Sequence, residues 1–132
     1  MNEHEGSIDW RMLREFAAVD LTKSFVLSWR IEAGTLLIDV DLYLTPGHPF
    51  YEKPRPVEKV CIRPAVIEFP YCKNLKTDGD NDDLDLNEGV LKLGLGAISA
   101  ARRLADGNFA VGGEFGAILI DAERPILRLK HR

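Results

Sequence analysis

The chain reads as a mainly β protein: an antiparallel β-sandwich or partly closed barrel of about seven strands with one short N-terminal helix, an α+β arrangement being the nearest variant. Three observations carry that reading. From Ser24 to Leu44, apolar and polar side chains alternate with the period of a half-buried strand on both sides of a glycine-containing turn. From Val57 onward, short apolar runs recur between Gly, Pro and Asp-Gly turn signals. The 132 residues suffice for one real core, and no break in composition or internal repeat divides 1–132 into more than a single globular domain.

Ser7 to Val19 is the helix candidate, with Ser7 or Asp9 as N-cap. Trp10, Leu13, Phe16 and Ala17 form its apolar stripe, while Arg11, Arg14 and Glu15 face away. So short a helix needs an apolar surface to dock on, here the open face of the sheet.

The Ser24–Leu44 hairpin has a definite arithmetic. An even loop of two or four residues around Glu32-Ala33-Gly34-Thr35 pairs Ile31 with Leu36, Trp29 with Ile38, Leu27 with Val40 and Phe25 with Leu42. A three-residue loop with Gly34 in the left-handed region would place Asp39 and Asp41 under the core face, so burial selects the even loop. Trp29 and Ile38 are then buried neighbours, and Asp39 and Asp41 point away from the core.

Thr45 to Pro56 is a loop by chemistry, because Pro46, Pro49, Pro54 and Pro56 each remove a hydrogen-bond donor. His48, Phe50 and Tyr51 on it are candidate ligand or partner contacts; the plainer alternative is that Phe50 or Tyr51 closes the end of the core as a lid. Val57–Ile62 and Ala65–Tyr71 are β-like runs separated by Arg63-Pro64, with Ala65, Ile67, Phe69 and Tyr71 on one face. Thr77 to Gly89 is an exposed acidic loop. Ile98 to Leu104 suits a helix or a strand, and is taken as a strand that Asp106-Gly107 closes onto Asn108–Val111. Phe115–Ile120 is a buried strand, and an even turn across Asp121–Arg124 pairs Ile118 with Leu127 and Gly116 with Leu129.

Several patterns bear on chemistry. Asp78, Asp80 and Asp82 match the first, third and fifth ligand positions of an EF-hand loop, but Asp83 stands where the glycine belongs and Gly89 where the bidentate glutamate belongs. Asp39 and Asp41, about 6–7 Å apart along a strand, could divide acid and base roles only if one were desolvated. Gly94-Leu95-Gly96-Ala97-Ile98-Ser99 is a truncated dinucleotide motif with no βαβ unit to complete it. His4, His48, Cys61, Cys72 and His131 lack zinc spacing, so neither metal nor cofactor is expected. The net charge of −4 opposes nucleic acid as the main partner, and no apolar run approaches the roughly 18 residues of a membrane span. The polar, acidic start is no signal peptide, so a cytoplasmic location with both cysteines reduced is expected.

Ser28-Trp29, Gly34-Thr35-Leu36, the stretch Gly47-His48-Pro49-Phe50-Tyr51 with Pro54, Cys61, Asp106-Gly107-Asn108-Phe109 and Gly113-Glu114-Phe115-Gly116 lie spread over most of the chain. Together they resemble a set of small bacterial β-rich domains of unknown function, some of which occur as immunity proteins beside polymorphic toxins. These are turn and core residues, so the resemblance implies the fold and carries over no active site.

The expectation is a non-enzymatic binding protein, in its sharpest form an immunity protein neutralising a basic toxin partner through Asp78, Asp80, Asp82 and Asp83. The alternative is a small-ligand-binding β-domain, or an enzyme, using the 45–56 loop.

Overall fold

The computed structural model describes residues 6–53, 60–77, 86–91 and 93–130. Its elements are β1 (Ile8–Asp9), β2 (Val19–Glu32), β3 (Thr35–Leu44), β4 (Cys61–Phe69), β5 (Asn74–Thr77), α1 (Leu86–Leu91), β6 (Gly96–Arg103), β7 (Phe109–Gly113), β8 (Gly116–Asp121) and β9 (Ile126–Leu129). They build one mainly antiparallel β architecture, a nine-stranded sheet in the order β5-β8-β7-β6-β2-β3-β4-β9 with β1 added to β6. The sheet does not close.

It folds over on itself instead. β2 and β6 pair only through Phe25–Ala97 and Val26–Gly96. Just beyond this junction each strand carries an extra residue, Leu27 in β2 and Ser99 in β6. Bulges bend a strand and increase its twist, so the two half-sheets hinge here. Phe69 on β4 and Phe109 on β7 prove the fold-over. Four inter-strand steps would hold them about 19 Å apart in a flat sheet. Their ring centroids lie 5.3 Å apart. A cavity of about 10 Å³ lies between the halves, among residues that include Leu21, Trp29, Ile38, Phe69, Ile98 and Phe109.

The hairpin turns through Ala33 and Gly34, with φ of 50° and 78°, the geometry of a type I′ two-residue loop. Ile31–Leu36 and Trp29–Ile38 pair as expected, and Trp29 and Ile38 are buried. The outer pairings need correction. The bulge at Leu27 shifts the register, so Val26 meets Val40 and Phe25 meets Asp41. Phe25 and Leu27 are consequently exposed, and Val26 takes the core position. A second irregularity between Asp20 and Phe25 is filled by the buried Ser24, whose hydroxyl donates to Asp20 O at 2.8 Å and accepts from Tyr43 N at 3.0 Å. The side chain thereby replaces missing ladder bonds.

The expected N-terminal helix is two single 3₁₀ turns, Trp10–Met12 and Arg14–Phe16. Asp9 does cap the first, accepting from Arg11 N at 3.0 Å, and Trp10, Leu13 and Phe16 are buried in the core. Three of the four stripe residues dock, whereas Ala17 is exposed and Glu15, expected to face away, is largely buried against Arg124. An extended Leu13 at ψ 125° breaks the helix so that Trp10, Leu13 and Phe16 reach the core. Strand β2 then begins at Val19, earlier than the hairpin pattern suggested.

β4 runs unbroken through Arg63 and Pro64, correcting the split into two runs, and residues 57–59 lie outside the described residues. Pro64 is tolerated because its carbonyl, facing the β9 side, accepts from Lys130 N where that strand ends. Ala65, Ile67 and Phe69 are buried as expected, but Tyr71, at φ 53° in a turn, is exposed. Asp106-Gly107 closes the β6–β7 hairpin as anticipated. The final hairpin does not form. β9 pairs with the edge of β4, Ile67 opposite Leu127, because β8 is already flanked by β7 and β5. The facing survives the change of partner: Leu127 and Leu129 pack on the core while Arg128 and Lys130 point outward. Within the segment read as an acidic loop, α1 begins at Leu86 and buries Val90.

Candidate functional site

The outer face of the half-sheet β5-β8-β7-β6 is concave. A groove of about 520 Å³ lies on it, lined by residues from all four strands. Register explains its shape. Inward-facing Phe109, Val111, Ile118 and Ile120 are buried, which turns Ala110, Gly112, Ala117 and Leu119 outward. One cross-strand row reads Lys76–Leu119–Ala110–Arg102 and the next reads Ala117–Gly112–Ala100. Small side chains therefore form the floor, Leu104 and Leu119 supply apolar walls, and Lys76 and Arg102 stand at the sides, their Cα atoms about 14 Å apart by strand spacing. The volume is within the range of ligand clefts, about 300–1,000 Å³. Its lining of apolar groups, an ammonium, a guanidinium and one hydroxyl suits binding; among the described residues it includes no carboxylate, imidazole or thiol to move a proton. Sequence reasoning missed this groove. Its trace was the run of small residues at alternate positions in β6, β7 and β8.

The 45–53 loop covers the other end of the fold, tied down by Thr45 N donating to Ala18 O at 3.0 Å. Two successive turns fold it over, His48 N to Thr45 O and Tyr51 N to His48 O, both 3.0 Å. Tyr51 packs on the core and is the lid; Phe50 is exposed and is not. The imidazole Nδ1 of His48 accepts from Phe50 N at 3.0 Å. Burial, and secondarily the charge of Arg63, lowers the His48 pKa from its ordinary value. None of His48, Phe50 and Tyr51 lines the groove.

Asp39 is central to the outer face of the other half-sheet. It is mostly buried and accepts hydrogen bonds from Ser28 Oγ, Arg30 Nε at 3.0 Å and Lys130 Nζ at 2.7 Å. Burial alone would raise its pKa, but Arg30, Lys130 and Ser28 together hold the carboxyl well below the usual carboxylate range. It points away from the core as expected, and its lowered pKa makes it a structural carboxylate at neutral pH, the opposite of a raised-pKa acid.

The Gly94–Ser99 motif has a structural explanation. Gly94 O accepts the Trp29 indole N–H at 2.7 Å, and Gly96 adopts φ 127°. A Cβ on Gly96 would meet Glu114 Oε2 at 2.2 Å, the carboxylate oxygen that accepts from Ala97 N at 2.7 Å. Asp78, Asp80, Asp82 and Asp83 lie outside the described residues, as do His4 and His131. Among the described residues no group of three potential ligands converges on a metal position, and no helix is long and apolar enough to cross a membrane. Compared with family models, with curated proteins and with solved structures, the chain matches none.

Proposed function

We propose that this chain is a non-enzymatic binding protein that acts by occupying a partner's surface, in its sharpest form an immunity protein neutralising a toxin. The observation that supports it best is the open, largely apolar groove on the outer face of β5-β8-β7-β6. Such a concavity can receive a protruding apolar side chain of another protein, while Lys76 and Arg102 at its sides can meet backbone carbonyls or a carboxylate.

Charge supports a partner that is basic around that protrusion. Thr77 lines the groove, and in the sequence it is followed by Asp78, Asp80, Asp82, Asp83, Asp85 and Glu88. Carboxylates concentrated in this way speed encounter with a cationic protein, an advantage that salt removes beyond about 8 Å at physiological ionic strength.

The experiment begins with the neighbouring genes: a toxin encoded immediately upstream supports the proposal, its absence counts against the immunity form, and such a toxin supplies the probe. Its purified toxic domain is titrated into the isotopically labelled protein, and amide shifts are mapped. Shifts concentrated on Ala100, Ala110, Gly112, Ala117 and Leu119 support the proposal. Shifts confined to the Asp39 face, or no complex at physiological salt, refute it.

A further inference from the structure

We propose a second, independent site: Arg63 is the base of an anion-binding pocket beneath the 45–53 loop, taking a small oxyanion, carboxylate or phosphate, along the Nε edge of its guanidinium. Arg63 occupies a position that the β pattern reserves for the core. It alternates with Cys61, Ala65, Ile67 and Phe69, all buried, and pairs across the strand with the fully buried Leu42. A cation there is costly unless close hydrogen-bonding partners surround it.

Its partners among the described residues are weak. The side chain is 12% exposed, yet Nη1 reaches Phe50 O only at 3.4 Å and the largely exposed Glu52 carboxylate only at 3.9 Å. Charge-assisted bonds of this kind normally span about 2.7–2.9 Å. The buried Nε has no hydrogen-bond partner among the described residues. Both weak contacts fall on Nη1, so the Nε edge, the side of the fork that binds carboxylate and phosphate bidentately, remains to be filled.

The cover places an imidazole close enough to feel the guanidinium charge. Because His48 Nδ1 accepts from Phe50 N, the neutral ring carries its proton on Nε2. Arg63 is near enough to depress the basicity of that ring, and Tyr51 closes the loop onto the core. A buried cation with an unpartnered N–H edge beneath this cover suits an anion.

The test compares thermal unfolding at pH 7 in phosphate, in acetate and in chloride at matched ionic strength. The melting temperature should rise along a saturating curve in phosphate, acetate or both, and whichever anion acts identifies the chemistry. Arg63→Lys should weaken the response several-fold, and Arg63→Met, which keeps the stem but removes the charge, should abolish it. Should Arg63→Met not fold, the wild-type Arg63 Nε–H resonance is the readout and should move with the same saturation. Equal melting in all three salts with an unmoved Arg63 resonance overturns the proposal, and so does an undiminished response in Arg63→Met.

Discussion

Replacing Asp39 by asparagine should remove a pH-dependent clasp between three strands. Asp39 on β3 joins Ser28 and Arg30 on β2 to Lys130 just past β9. Its side chain is 13% exposed, so its bonds are only partly screened, whereas Arg30 and Lys130 are 41% and 47% exposed and can turn to water when released. Losing one partner of a fully buried pair costs about 3–5 kcal/mol and an exposed pair contributes about 0.2–1 kcal/mol. This half-sheltered cluster falls between, at about 2 kcal/mol for Asp39→Asn, or roughly 8 °C in melting temperature for a chain of this size. The sign with pH follows from the lowered folded-state pKa. The contribution is complete above the unfolded carboxyl value of about 4 and fades as pH falls below it. Urea unfolding of wild type and Asp39→Asn at pH 7 and at pH 2.5 tests this: the gap should be about 2 kcal/mol at pH 7 and smaller at pH 2.5. Equal stabilities at pH 7, or a gap that does not shrink in acid, would refute the reasoning.

Trp29→Ala should cost about 3–5 kcal/mol in chemical denaturation, since Trp29 is buried and stacks edge-on against Phe115 at 5.3 Å. Trp29→Phe should cost about 1–3 kcal/mol, the penalty of leaving Gly94 O without its indole donor; an unchanged midpoint in either variant contradicts the packing. Ala33→Gly should stabilise by a few tenths to about 1 kcal/mol, because Ala33 sits at φ 50° in the hairpin turn; a lower melting temperature would argue against the type I′ turn. Cys72, its thiol pushed up to about 11 by burial, should resist alkylation at pH 8 until the protein unfolds, and fast modification of the native protein would contradict its burial. Cys61 and Cys72 should both titrate as free thiols after denaturation, because β4 puts Phe69 about 26 Å from Cys61 and the three residues on to Cys72 reach back at most about 11 Å, leaving the pair beyond bridging distance.

What was legible in the sequence was mostly local. Alternation placed Trp29 against Ile38 and turned Asp39 outward, and Asp106-Gly107 marked a hairpin because the turn chemistry sits in the two residues themselves. The bulges were not legible. Phe25, Leu27 and Trp29 continue a perfect alternation in sequence, yet one extra residue at Leu27 moves Phe25 and Leu27 to the other face. The partner of β9 depends on which edge is vacant after the sheet folds, a non-local condition that the Ile126–Leu129 pattern cannot encode. The 3₁₀ turns share the helix stripe and differ only in where Leu13 breaks it. Of the candidate site residues, His48, Phe50 and Tyr51 do share one loop, but Arg63, which gives that loop its chemistry, was read as a spacer. Its signal was a charged residue in phase with Cys61, Ala65, Ile67 and Phe69.

The most direct test of the binding-surface reading is the affinity of the toxic domain, which the neighbouring genes would encode if the proposed function holds, for an Ala110→Trp variant of this protein. Ala110 faces outward on the groove floor, so filling the groove leaves the core side of β7, Phe109 and Val111, untouched. Calorimetric titration at physiological salt should show tight binding to wild type and at least a hundredfold loss for Ala110→Trp, with both proteins melting alike. Equal affinity for the two would contradict the groove as the contact surface.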